Sequence, residues 1–459
     1  MDAPTAEHLK KLFGNYKAEW LRGQIFDLFT RPAYFPELET QGPCLLVGGR
    51  GTGKTTVLRS LSYEGRFALS NRDVNSIKGW PYYGFYYRVD TNRVTAFRGP
   101  ELTDDTWTKL FGHYFNILLC GQVLNFLKWY YYYLPTEPSL PPEACRKIAI
   151  TLHIENATTS SELLTRLNEA RLRFEAYLNN LHQDRLPPLS LQSAPIDELI
   201  SSITDLPQFV DKYFFFLIDE YENLLDNQQI VANTLIKHSG AKYSFKIGVR
   251  ELGWRKRVTL NANEQLISPA DYARVSIAEK LKDQAFDKFA LDICNQRLAR
   301  LPNNGSSKIS IEAMFKTLSE ETEAELLGVR EIVANRLRRF TKPLPLDRNL
   351  SPLEMYFALF WADAHELDLS EVLSERAKDP KRWRTRYENY KHAILFTIRR
   401  KRSGTRKYYS GWRSFVQLSG ANIRYLLDWL TKHFYRTYSE ATNLANRSLQ
   451  TRRVEPLKA

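Results

Sequence analysis

The chain has 459 residues, a quarter of them charged, with a formal net charge of +13; its length suits roughly two to four domains. Its four cysteines (Cys44, Cys120, Cys145, Cys294) are scattered with no CxxC pair, which argues against a disulfide framework or a zinc site and fits a reducing cytosol. The eight histidines form no HExxH-type cluster, the first residues lack a basic-then-apolar leader, and no apolar run approaches the roughly 18 residues of a membrane span, so the expectation is a cytoplasmic protein with no membrane partner and no transition-metal chemistry.

An N-terminal helical segment leads to Pro32-Ala33-Tyr34-Phe35. The apolar run Cys44-Leu45-Leu46-Val47 then reads as a strand and runs into Gly48-Gly49-Arg50-Gly51-Thr52-Gly53-Lys54-Thr55, a complete G-x-x-x-x-G-K-[ST] loop. A helix-forming stretch from Thr55 to Leu61 follows, so the motif sits in the strand–loop–helix context it requires. Glycines let the backbone approach phosphates closely, and the loop N–H groups with the helix N-terminus offer positive partial charge to an anion. Gly48 to Thr56 are therefore the expected nucleotide cradle. Lys54 is expected to reach the β- and γ-phosphates, and the Thr55 hydroxyl to bind Mg²⁺.

Tyr82 to Asp90 resembles a second strand, and Trp107 to Leu127 an amphipathic helix. Two proline-rich stretches, 134–142 and 186–195, bound a segment in which Leu163, Leu167, Ala170, Phe174, Tyr177 and Leu181 recur at helical spacing behind a Thr159/Glu162 capping box. This segment reads as a helical insertion that either packs on its own domain or serves as an arm toward another subunit.

Tyr213-Phe214-Phe215-Phe216-Leu217-Ile218-Asp219-Glu220 is a buried-strand pattern ending in two acids. The carboxyl end of such a strand is where open α/β sheets bind ligands. Asp219 is expected to hold the Mg²⁺ through water and Glu220 to polarise the attacking water, since phosphoryl transfer needs positioning and charge neutralisation more than covalent chemistry. Tyr243 to Val249 is a further strand with Arg250 at its tip, either a γ-phosphate sensor or half of an ion pair. Arg255, Arg257 and Arg274 are candidate fingers acting in trans.

Past a loop at 302–307 the chain reads almost wholly helical, with a second break at 342–345. From Arg376 to Arg413 there are fourteen Lys/Arg and two acids, +12 of the net +13, interleaved with Trp383, Tyr387, Tyr390, Tyr408, Tyr409 and Trp412 and including Arg399-Arg400-Lys401-Arg402. The mixture suits a nucleic-acid surface, and equally a seat for an acidic partner or a solvated helix face.

Three pieces, 48–56, 217–224 and Leu418 to Leu427, resemble the AAA+ superfamily, and within it the origin-recognition-type initiator ATPases and their bacterial relatives in mobile and antiviral gene islands. The last piece is similar to the G-[DN]-x-R helix of AAA+ lids, with one extra residue between Gly420 and Asn422, and the resemblance assigns Arg424 to the γ-phosphate. Arg250 is similar to the sensor arginine of STAND-type switch ATPases. The fold this implies is α/β: a P-loop core with a parallel sheet flanked by helices (1–133 and 201–300), a helical insertion (134–200), and a mainly helical C-terminal region with the lid and the basic segment (301–459). Because the lid helix lies so far downstream, a second helical insertion is expected near 280–350. Adenine is the base the resemblance implies, with 32–35 helping to form its pocket, and no N-K-x-D guanine motif is present.

Catalytic Lys54, Asp219, Glu220 and Arg250, with ATP and Mg²⁺, then imply a homo-oligomeric switch ATPase, the regulator of an antiphage system acting with a separate effector. No nuclease-like carboxylate cluster, Ser/His/Asp set or TIR-like segment is visible in the sequence. The alternative is a DNA-binding initiator-like or transposition-regulator ATPase, with the basic segment on phosphates.

Overall fold

Four apolar runs anticipated as strands pair into a parallel sheet. In the computed structural model, which describes residues 3–14, 21, 23–181, 186–301, 310–340, 350–398 and 407–434, they are β1 (Cys44–Val47), β2 (Tyr82–Arg88), β3 (Tyr213–Asp219) and β4 (Tyr243–Val249). A fifth, β5 (Ala273–Ser276), escaped the sequence reading because it is four residues long and half exposed. The order is β2-β3-β4-β1-β5, with every pairing parallel. The three central strands are the most apolar, as burial on both faces requires. Register aligns their carboxyl ends: Val47 lies beside Val249, and Arg88 beside Asp219. The loops after β1, β3 and β4 therefore emerge side by side on one edge.

The phosphate-loop helix α1 (Lys54–Leu61) packs on one face of the sheet. It comes so close to β4 that a Cβ on Gly248 would lie 2.6 Å from Leu58 Cδ1 and 2.9 Å from Asp219 Oδ1, so only glycine fits there.

On the other face lies α2 (Asp104–Tyr133). It corrects two expectations. It is not amphipathic but buried nearly all round, and it is long and apolar enough to cross a membrane, although 78% of its apolar window is buried inside the protein. Two polar residues that interrupt its apolar run have internal partners: His113 Nδ1 accepts from the Ser190 N–H at 3.0 Å, and Asn116 Nδ2 donates to Ser190 Oγ at 2.9 Å.

Helices α3 (Pro142–Thr151), α4 (Ser160–Asn179) and α5 (Ala194–Thr204) share one apolar cluster with α2 and the sheet. Thr159 caps α4 by accepting from Glu162 N, whereas the Glu162 carboxylate accepts from Thr158 N rather than closing the expected box on Thr159. Leu181 falls beyond the helix end. After β3 come α6 (Asp226–Lys237) and, past β5, α7 (Gln284–Leu298).

The chain divides into two units, residues 1–303 with 421–459, and 304–420. The interposed helical unit thus lies at 304–420 rather than 280–350, and the candidate lid residues after 420 belong with the ATPase core. The loops expected at 302–307 and 342–345 and the run Arg399 to Arg402 lie outside the described residues.

In the second unit, α8 (Pro352–His365), α9 (Leu369–Lys378) and α10 (Pro380–Ile394) enclose their own core. Phe357 packs on Trp383 and Tyr387 at centroid distances of 5.2 and 5.7 Å. These two aromatics, with Trp412, are buried, and only Tyr390 and Tyr409 of the interleaved set are well exposed. Several of the cations are also engaged: Arg386 pairs with Glu375 at 2.9 Å, Lys391 with Glu388 at 2.8 Å, and Lys407 with Glu323. Lys378, Lys381, Arg382 and Arg384 stand exposed around the start of α10.

Candidate functional site

A cleft of about 440 Å³ opens at the carboxyl edge of the sheet, lined by Gly49 to Val57, Arg88, Asp219, Glu220, Glu222 and Arg250, and by Ile423 and Arg424. Gly51 (φ +89°) and Gly53 (φ +96°) adopt left-handed conformations that turn the loop into α1. Gly53 caps α1 without a side chain, which leaves the helix's first N–H groups, with their positive partial charge, to the cleft. Gly48 sits behind this wall, its N–H bonded to Val249 O at 3.1 Å.

Lys54 is buried, and its ammonium donates to Gly48 O and Gly49 O at 2.7 and 3.1 Å. Burial lowers its pKa, and the carboxylates of Glu222 and Asp219 pull the other way. Asp219 is fully buried. Its Oδ2 accepts from the Tyr86 hydroxyl at 2.9 Å and its Oδ1 from Glu220 N at 2.9 Å, and it lines the cleft together with Thr55. Burial raises its pKa, opposed by the Thr55 and Tyr86 hydroxyls.

Glu220 turns the chain off β3 in a left-handed conformation (φ 56°, ψ 42°), uncommon for a residue with a side chain. Arg88 Nη2 donates to its Oε1 at 2.9 Å and Asn223 Nδ2 to its Oε2 at 3.0 Å. Arg250 reaches the cleft but is paired: its Nε lies 2.8 Å from Glu222 Oε1.

The helix over 423–434, α11, docks its N-terminus on the phosphate loop. Asn422 Oδ1 caps it, accepting from Arg424 N at 3.0 Å, while Asn422 Nδ2 donates to Arg50 O at 2.9 Å and Arg424 N to Gly51 O at 3.3 Å. A Cβ on Gly51 would fall 2.7 Å from both Asn422 Oδ1 and Arg424 Cβ. Arg424 Nε is buried with no hydrogen-bond partner among the described residues.

The far end of the cleft is mostly apolar, with Leu21, Ile25, Leu28, Phe29, Tyr34, Phe289, Ile293 and Leu427, and it also carries Thr30 and the buried Arg297. Of the stretch 32–35, Tyr34 lines it, whereas Phe35 packs instead under the Arg31 guanidinium at 4.7 Å.

The three candidate fingers differ. Arg255 is bound within its own chain by Asp226 (2.7 Å) and by the carbonyls of Glu222 and Leu224. Arg274 is paired with Glu251 and Glu279. Arg257 is exposed beside the Trp254 ring.

Glu222, Asn223 and Asn422 stood inside the recognised motifs without a role of their own, and Tyr86 and Arg88 were not anticipated. For the last two a signal existed: strand alternation puts residues 86 and 88 on one face of β2, and a polar pair at the end of a buried strand marks a site edge.

A parallel sheet of this order, with a phosphate loop after β1, paired acids after β3 and an arginine after β4, defines a P-loop ATPase of the AAA+ class. Residues 11–456 match the ORC-CDC6-like family, and the chain belongs to it. No curated protein matches the chain.

Proposed function

We propose that this chain is a Mg²⁺-dependent ATP-hydrolysing switch that assembles with copies of itself and passes its nucleotide state to a separate effector protein, in the manner of the antiviral relatives it resembles. The observation that carries the switch is the seat of α11 on the phosphate loop, through Asn422 to Arg50 O and Arg424 to Gly51 O. A ligand that rearranges the loop must rearrange this contact.

The residues fit the nucleotide and the metal. The glycine cradle leaves backbone where a Cβ would clash, Lys54 and the start of α1 supply positive charge, and Thr55 and Asp219 both line the cleft with oxygens suited to a hard cation. When bound, Mg²⁺ neutralises phosphate charge. Glu220 is placed to orient water, Arg250 and Arg424 to meet the γ-phosphate, and the apolar end to take the base.

The test is nucleotide binding, turnover and particle mass for the wild type and two variants. Lys54→Ala abolishes ATP binding. Glu220→Gln keeps ATP bound, loses turnover and accumulates the assembled form. Normal hydrolysis by Glu220→Gln would remove the catalytic assignment. A toxic nuclease or protease encoded by a neighbouring gene would support the effector, and a transposase or replication gene there would favour the DNA reading below.

A second reading, an initiator-like ATPase bound to DNA, is favoured by the exposed Lys378, Lys381, Arg382 and Arg384. It requires duplex binding that weakens steeply with salt and falls on Lys381→Glu/Arg384→Glu. Salt-indifferent or absent binding by anisotropy removes it.

A further inference from the structure

β2 presents two polar groups to the same edge, and each meets a different acid. Arg88 bonds Glu220, whereas Tyr86, one pleat repeat earlier, bonds Asp219. The second contact lies deeper: Asp219 is fully buried, and the Tyr86 ring has the Arg59 guanidinium 5.9 Å from its centroid.

A carboxylate on a strand turns freely about its last torsion unless its oxygens are held. The Glu220 N–H fixes Oδ1 from the chain itself, and Tyr86 is what holds Oδ2 from the neighbouring strand. Mg²⁺ demands near-ideal octahedral geometry and takes few protein ligands. Hydrogen bonds from behind to such carboxylates typically set about 10- to 100-fold of metal affinity.

We infer that Tyr86 is a positioning residue for the Mg²⁺ site: its hydroxyl locks the Asp219 carboxylate in the orientation that receives the hydrated cation beside Thr55. It rests on the functional reading above. Tyr86 does not line the cleft and acts through Asp219. The phenol ring, packed beside the phosphate-loop helix, keeps its place when the oxygen is removed.

The experiment is Tyr86→Phe, with binding of a fluorescent ATP analogue titrated by Mg²⁺ and repeated in EDTA, alongside the wild type. The expected result is unchanged affinity in EDTA with the Mg²⁺ midpoint raised on the order of tenfold. An unchanged Mg²⁺ midpoint overturns the inference. So does an equal loss of affinity with and without Mg²⁺, which marks a merely structural tyrosine. If wild-type binding is itself indifferent to Mg²⁺, the functional reading fails first, and that outcome is distinguishable because it appears before any substitution is made.

Discussion

Arg88 Nη2 donates to Glu220 Oε1 at 2.9 Å, and with Asn223 on Oε2 both oxygens of the proposed water-orienting carboxylate carry a donor. Each oxygen keeps a free lone pair for water, but the two donors together hold the carboxylate in one orientation. Arg88 is therefore a restraint on Glu220 as well as its neighbour. The pair is partly exposed, 46% and 26%, so it is worth at most about 1 kcal/mol. Arg88→Ala is expected to raise basal ATP turnover by up to about fivefold with ATP affinity little changed. A fall in turnover at saturating ATP would instead make Arg88 a helper of the reaction.

Asn422 performs two tasks that chemistry can separate. Its Oδ1 caps α11, and its Nδ2 donates to the phosphate loop at Arg50 O. Asn422→Ala removes both and is expected to cost about 1 kcal/mol of stability through the lost cap. Asn422→Asp keeps the cap but turns an acceptor toward a carbonyl. Its thermal stability should stay near the wild type, while ATP affinity falls roughly threefold to tenfold, the worth of one hydrogen bond. Equal ATP affinity in wild type and Asn422→Asp would show that the lid does not sense the loop through this side chain.

These two contacts also show which parts of the site were legible in sequence. Gly51, Lys54, Thr55 and Asp219 stood out because their chemistry is local: a glycine-rich turn before a helix, and acids closing a buried strand. Tyr86 and Arg88 become functional only once β2 pairs with β3 in a register that sets Arg88 beside Asp219, and a single sequence does not print register. Asn422 needed its neighbour across 372 residues of chain. The fold was similarly uneven. β1 to β4 declared themselves by apolar runs, whereas Ala273–Ser276 is too short and too polar to do so. Helix α2 hid its length because its polar residues find partners inside. The basic segment misled in part, because Trp383 and Tyr387 are core residues rather than stacking platforms.

His113 gives the core an acid sensitivity. Burial, with a smaller contribution from His153, lowers its pKa from the usual 6.5 to about 4, so the folded protein holds a neutral imidazole that accepts from Ser190 N. Between pH 6.5 and 4 the unfolded chain takes up a proton that the folded chain refuses. Stability from this group is thus full above pH 6.5 and lost as pH falls through the window, by at most about 3 kcal/mol. Denaturant unfolding of the wild type and His113→Gln at pH 7.5 and 4.5 checks this. The variant, which has no imidazole to protonate, should lose less stability on acidification. Parallel losses would place the acid sensitivity elsewhere.

Arg250 stands between two roles, and a double substitution separates them. Its Nε bonds Glu222 Oε1 at 2.8 Å, and Glu222 is the more buried partner, 10% against 44% exposed. If the arginine only neutralises Glu222, Arg250→Ala leaves an unpaired carboxylate near Lys54 and weakens ATP and ADP alike, and adding Glu222→Ala restores both. If it reads the γ-phosphate, Arg250→Ala weakens ATP and spares ADP, and removing Glu222 rescues nothing. The second pattern is expected, with a loss on the order of tenfold for ATP, the 1–3 kcal/mol scale of a charge-assisted hydrogen bond. Calorimetric titration of both nucleotides into the wild type, the single variant and the double variant decides between them, because only a phosphate sensor distinguishes ATP from ADP after its carboxylate partner is gone.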